Sequence, residues 1–162
     1  MTTRRIRYIV VVCVMLAVGV ALYWRFVLAS GQMIDAIQRE DLQRISTLAS
    51  LTVNPNSEAF LVGGFMQCAA ACGKPQSMAR LRDLGASVNK LDGWGQTPLH
   101  IAVKFNQIEA FRWLLANGAD PSILDRDGNT IADYINKYVP VPQQETFTNE
   151  LKKASNKSAQ TK

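Results

Sequence analysis

The residue types able to do chemistry in this chain are few, and their spacing argues against each reaction in turn. His100 is the only histidine. Cys68 and Cys72 stand four apart in "CAAAC", on a stretch with helical character. That spacing invites a redox pair or a metal site. Cβ atoms at i and i+4 of a helix lie about 5–6 Å apart, however, beyond the roughly 3.8 Å of a disulfide. No CxxC pair occurs, so the two thiols read as small apolar side chains in a tight helix packing. Asp92, Asp125, Asp127 and Asp133 sit near turns, where Asp accepts hydrogen bonds from its own backbone. Serines and cysteines lack a base partner, and neither "LVGG" nor "GWG" leads into a helix with the Lys and Ser/Thr of a phosphate loop. No catalytic set, metal site, cofactor or small-molecule substrate is expected.

The elements that position these residues recur. Gly85 and Gly118 lie 33 apart, as do Ala86 and Ala119, Asp92 and Asp125, Gly95 and Gly128, and Thr97 and Thr130. Apolar positions keep the same step: Ile45, Met78 and Phe111; Leu48, Leu81 and Leu114; Ala36, Ala69 and Ala102. Residues 34–137 thus divide into two full units, 57–89 and 90–122, flanked by partial ones, 34–56 and 123–137. In the best unit Thr97 caps a short helix, "PLHIAVKF", whose first residue Pro98 loses nothing by lacking an N–H. Asn106 follows, where a left-handed residue suits a helix end. A second helix, "IEAFRWLLAN", carries Ile108, Phe111, Leu114 and Leu115 on one face and stops at Gly118. A turn-rich link, "ADPSILDRDGN", enters the next unit, with Gly128 supplying a positive φ. Such a unit cannot bury its apolar face alone and must stack on copies of itself.

"DGWGQTPLHIAVKFNQIEAFRWLLANGADPS" resembles an ankyrin repeat in its Thr-Pro-Leu-His motif, its Leu-Leu pair and its Gly-Ala-Asp closure. The 57–89 unit has "GFMQ" where "TPLH" is expected, and 123–137 keeps "DRDGNT" but loses Pro-Leu-His. The resemblance implies an all-α solenoid of helix–turn–helix units with β-hairpin loops, its ends shielded by degenerate caps. It also implies that His100 ties neighbouring hairpins, and that a concave face of hairpin tips and first helices binds a protein. Aligned on the step, that face takes Phe60, Leu61 and Gly63; Gly93, Trp94 and Gln96; Arg126, Asp127 and Asn129. Its helix positions are Gln38 and Arg39, Ala71 and Cys72, Lys104 and Phe105, and Lys137 and Tyr138. Large aromatic and Arg side chains there have the composition of a protein-binding hot spot.

Residues 1–30 hold Arg4, Arg5, Arg7 and Arg25 and no acid, so four of the five net positive charges belong to them. The remainder has no cationic cluster able to displace counterions from nucleic acid, and none is expected as a partner. Residues 8–28 are apolar except Arg25. As a helix they extend about 31 Å, the thickness of a bilayer core. With three arginines ahead, the n-region 1–7 stays in the cytoplasm and the repeats lie across the membrane, in the periplasm of a bacterium. A cleaved signal peptide is the rival, with Val27 and Ala29 as the small-residue site. A linker over 29–33 and a disordered polar tail over 138–162, rich in lysine and small polar residues, complete the chain.

Two functions fit. The first is a membrane-tethered module that binds one protein partner, as an immunity protein or inhibitor of an exported toxic enzyme, or as a scaffold for an envelope enzyme. The second is an accessory subunit whose span assembles in a membrane complex, for which "AVGVA" (residues 17–21) offers small residues.

Overall fold

The computed structural model describes residues 15–16, 18–21, 27–51, 58–59 and 63–159. Helical residues 27–38 lead into α1 (Leu42–Leu51), α2 (Phe65–Ala71), α3 (Pro75–Asp83), α4 (Pro98–Lys104), α5 (Ile108–Ala116), α6 (Ile131–Tyr138) and α7 (Val141–Ala159). The starts of α1, α3, α5 and α7 fall 33 residues apart. One layer is α2, α4 and α6 side by side; the other is α1, α3, α5 and α7, each backing its own unit. Glu58–Ala59 pairs antiparallel with Gly63–Gly64, the one strand pair among the described residues. The later hairpins are tight hydrogen-bonded turns instead. The architecture is an all-α stack of helix pairs.

The repeat step explains the core. Ala36, Ala69 and Ala102 are fully buried in register, small enough for the first helices to approach, and Ile135 takes the fourth place. Ile45, Met78 and Phe111 form a second buried column between the layers. Ser77 Oγ donates to the Ile37 carbonyl at 3.0 Å, fastening the first pair to the second. The first helices of the first three units end on a left-handed residue at the same step: Glu40 (φ 55°), Gly73 (φ 63°) and Asn106 (φ 56°). That residue reverses the chain into the second helix.

Two sequence expectations are corrected. Residues 29–33 are not a linker but helix, with Ala29, Ser30 and Met33 buried. Ala29, Met33, Ala36 and Ile37 share one helical face, so the stack begins earlier than the repeat count suggests. Residues 138–162 are not a disordered tail over most of their length: α7 packs on α5 and α6 as the second helix of a fourth unit. Phe147 is 1% exposed, its ring 5.0 Å from that of Phe111. It stands 33 residues after Leu114 and continues the Leu81–Leu114 column. Val139 cannot adopt the left-handed turn of its equivalents and leaves α6 extended (φ −93°, ψ 131°), as a residue before proline prefers. The Gln144 amide donates to the Val139 carbonyl at 2.9 Å and fixes the corner.

The expected span 8–28 lies largely outside the described residues; 15–16, 18–21 and 27–28 are helical. No helix among the described residues is long and apolar enough to cross a membrane.

Candidate binding face

The turns and first helices of the last two units build one continuous face. Asp92 organises the first turn: its Oδ1 accepts from the Trp94 and Gln96 N–H groups, both at 2.8 Å. Asp125 repeats this one unit later, accepting from Asp127 N at 3.0 Å and Asn129 N at 2.8 Å. Both carboxylates are buried in their turns, so these acids serve the fold. Successive turns join where Arg126 N–H donates to the Trp94 carbonyl at 3.1 Å. Gly95 permits that approach: its φ is +75°, and a Cβ there would stand 2.8 Å from Arg126 N.

Thr97 and His100 form a capping box at the start of α4. Thr97 N–H donates to His100 Nδ1 at 3.2 Å, which places the imidazole proton on Nε2. Nε2 faces the Asn129 carbonyl of the next turn without closing an ordinary hydrogen bond. The ring packs edge-on to Tyr134, centroids 4.8 Å apart. Burial pushes its pKa below the usual imidazole value, against the pull of the Asn129 carbonyl and the Asp125 and Asp92 carboxylates. A neutral, enclosed imidazole serves as a structural tie here. Where other units lack His, their substitutes do related work. Gln67 donates to the Lys90 carbonyl at 2.7 Å, and Asp133 closes a capping box with Thr130.

Burial also pushes Asp125 up, but the side-chain and backbone N–H groups of Asn129, the Tyr134 hydroxyl and the Asp127 N–H outweigh it and bring its pKa down to about 2. The Tyr134 hydroxyl donates to Asp125 Oδ2 at 2.8 Å, and burial followed by that carboxylate raises its pKa. For Cys68, burial and then the neighbouring Cys72 push the thiol up to about 12. A thiol so far from its thiolate is no nucleophile at neutral pH.

With these groups committed to structure, what remains open is surface. Trp94 is 61% exposed at its turn, and Phe105 is 49% exposed at the end of α4. Lys104, Arg126 and Asp127 are exposed beside them, and Gln96 is half-buried. Two expected positions are spoken for. Asn129 donates through Nδ2 to both Asp125 oxygens, at 3.1 and 2.9 Å. Tyr138 is half-buried against the core, its ring 5.2 Å from that of Tyr134. Phe60 and Leu61 lie outside the described residues. Sequence reasoning missed Leu91 and Leu124, 47% and 49% exposed at equivalent points of the two turns. Their signal was the step itself: two large apolar residues 33 apart in turns that need none.

A separate open groove of about 760 Å³ runs between the end of α5 and α7. Its polar groups satisfy one another: Glu150 pairs with Arg112 at 3.4 Å and Lys153 at 3.1 Å, and Asp120 accepts from Ser122.

Residues 81–135 match the family model described as ankyrin repeats (many copies). The chain carries ankyrin repeats. Over 135 residues, 81% of its length, it is 28% identical to an ankyrin and IPT/TIG repeat-containing protein of Schizosaccharomyces pombe. It is 33% identical over 63% of its length to the E3 ubiquitin-protein ligase hecd-1 of Caenorhabditis elegans. Over 36% of its length it is 43% identical to the human transient receptor potential cation channel subfamily A member 1. The chain spans only 11%, 4% and 6% of those relatives, so the likeness is to their repeats. Ankyrin repeats are protein-interaction modules and are generally not enzymes, which agrees with an imidazole and carboxylates spent on turns and caps.

Proposed function

We propose that the chain is a membrane-tethered module whose ankyrin face holds one protein partner on the non-cytoplasmic side. The observation that carries the binding role is the exposure of Trp94 and Phe105 on a face whose imidazole and turn carboxylates Asp92 and Asp125 are buried in structural roles. Large rings are the side chains that anchor protein interfaces when desolvated. Support for the tether comes from the apolar run 8–28 behind Arg4, Arg5 and Arg7. Met15, Leu16, Val18 and Val20 within it are helical and exposed. In its narrower form the module sequesters an exported toxic enzyme, as an immunity protein does.

A photo-crosslinking amino acid placed at Trp94 in the full-length chain, in its own membrane, tests the reading. One dominant adduct, absent when the same probe sits at Lys152 on α7, is the expected outcome. A spread of weak adducts at both sites refutes it. Exchanging residues 8–28 for an unrelated span separates the two modes of action: survival of function assigns it to the repeats, and loss from a still-inserted protein assigns it to the span.

A further inference from the structure

The charges around the two open rings define the partner's chemistry. Lys104 adjoins Phe105, and Arg126 lies one turn over from Trp94, joined to its carbonyl. Both cations are exposed, and neither enters an ion pair among the described residues. Lys137, the equivalent of Lys104 on α6, is exposed as well, its ammonium 5.2 Å from the Tyr138 ring centroid.

The acids on this side are mostly committed. Asp92 and Asp125 are buried in their turns, and Asp133 accepts from Thr130 N and Oγ1 at 2.8 and 2.7 Å. Among the described residues of these turns, Asp127 alone presents an exposed carboxylate with no side-chain partner. Three cations thus face outward against one free acid, although the body of the chain as a whole is near neutral.

We infer that this face takes an acidic protein segment carrying two apolar anchors, one for Trp94 and one for Phe105, with carboxylates meeting Lys104 and Arg126. The inference rests on the partner-binding reading above and narrows it. The seven residues of α4 separate the turn from the helix end by about 10 Å. An extended segment advances about 3.3 Å per residue and sends alternate side chains to one face, so anchors that both meet this face across α4 stand about four residues apart. Paired rings give the contact its area, while unpaired exposed cations select a negative partner and quicken its arrival. Two apolar anchors at a fixed spacing favour a protein over a polyanion or a lipid surface, which would need the cations alone.

Selection of a random-peptide display library on the detergent-held full-length chain tests this. The expected winners are acidic, with apolar residues about four apart. Lys104→Glu with Arg126→Glu should weaken them about tenfold or more and reverse the charge preference when selection is repeated. Trp94→Ala with Phe105→Ala should abolish them at an unchanged melting temperature. Neutral or basic winners that still need Trp94 and Phe105 overturn the acidic assignment and leave the partner-binding reading standing. Winners indifferent to both double variants overturn both. Binding to phosphatidylglycerol vesicles through Lys104 and Arg126, with no peptide selected, overturns the protein-segment assignment in favour of a lipid surface.

Discussion

Replacing Phe147 by alanine asks whether the polar C-terminal stretch is part of the folded stack. The side chain is 1% exposed, and its ring forms a tilted pair with Phe111 across the α5–α7 contact. Withdrawing a fully buried Phe from water is worth about 1.5–3 kcal/mol. The aromatic pair adds about 0.5–1.5 kcal/mol. A residual cavity raises the cost further, so about 3–5 kcal/mol should be lost. Because a terminal repeat touches only its neighbour, part of that loss should surface as local opening of α7 before global unfolding. Urea unfolding followed by circular dichroism, with hydrogen exchange on the amides of α7, reads both. Phe147→Leu, which keeps most of the volume, should cost less than about 1.5 kcal/mol. A loss below about 0.5 kcal/mol for the alanine variant, the size of an ordinary surface substitution, would refute the packing assigned to α7.

Stability should fall as pH drops below 6.5, because the unfolded chain takes up a proton that buried His100 resists. It should fall again between 3.8 and about 2 as Asp125 is protonated, since a depressed carboxyl stabilises the fold only while ionised. Melting temperature against pH shows both steps, and His100→Gln should erase the first. Gly95→Ala should destabilise more than Gly118→Ala: both glycines have positive φ, but only at Gly95 would the new Cβ also meet backbone, as comparative thermal melts will show. Under reducing conditions, iodoacetamide should label half-exposed Cys72 long before buried Cys68, read by peptide mass mapping.

The repeat was legible because its determinants are local. Thr97, Pro98, Gly118 and the spacing of Phe111 and Leu114 each encode a cap, a start, a stop or a buried face within one unit. Even the degenerate units kept the step in their apolar columns. What escaped was the fourth unit's second helix, because Pro140, Pro142 and the lysines after Leu151 have the composition of a solvated tail. A terminal helix needs only one apolar side, and Phe147 with Leu151 supplies it. The binding face was legible as a set of positions but not as a surface. Leu91 and Leu124 stand exposed at the two turns, and Tyr138 is half-buried against the core beside Tyr134. Both outcomes depend on how each turn and helix packs, which the alignment of positions along the repeat does not display.

The central claim is that this ankyrin stack binds a protein through its open aromatic face. The affinity of the cross-linked partner for Trp94→Ala/Phe105→Ala, measured beside the parent chain, tests it most directly. A loss of at least about 2 kcal/mol, roughly 30-fold, at an unchanged melting temperature is the expected result. Equal affinity in a folded double variant would contradict it.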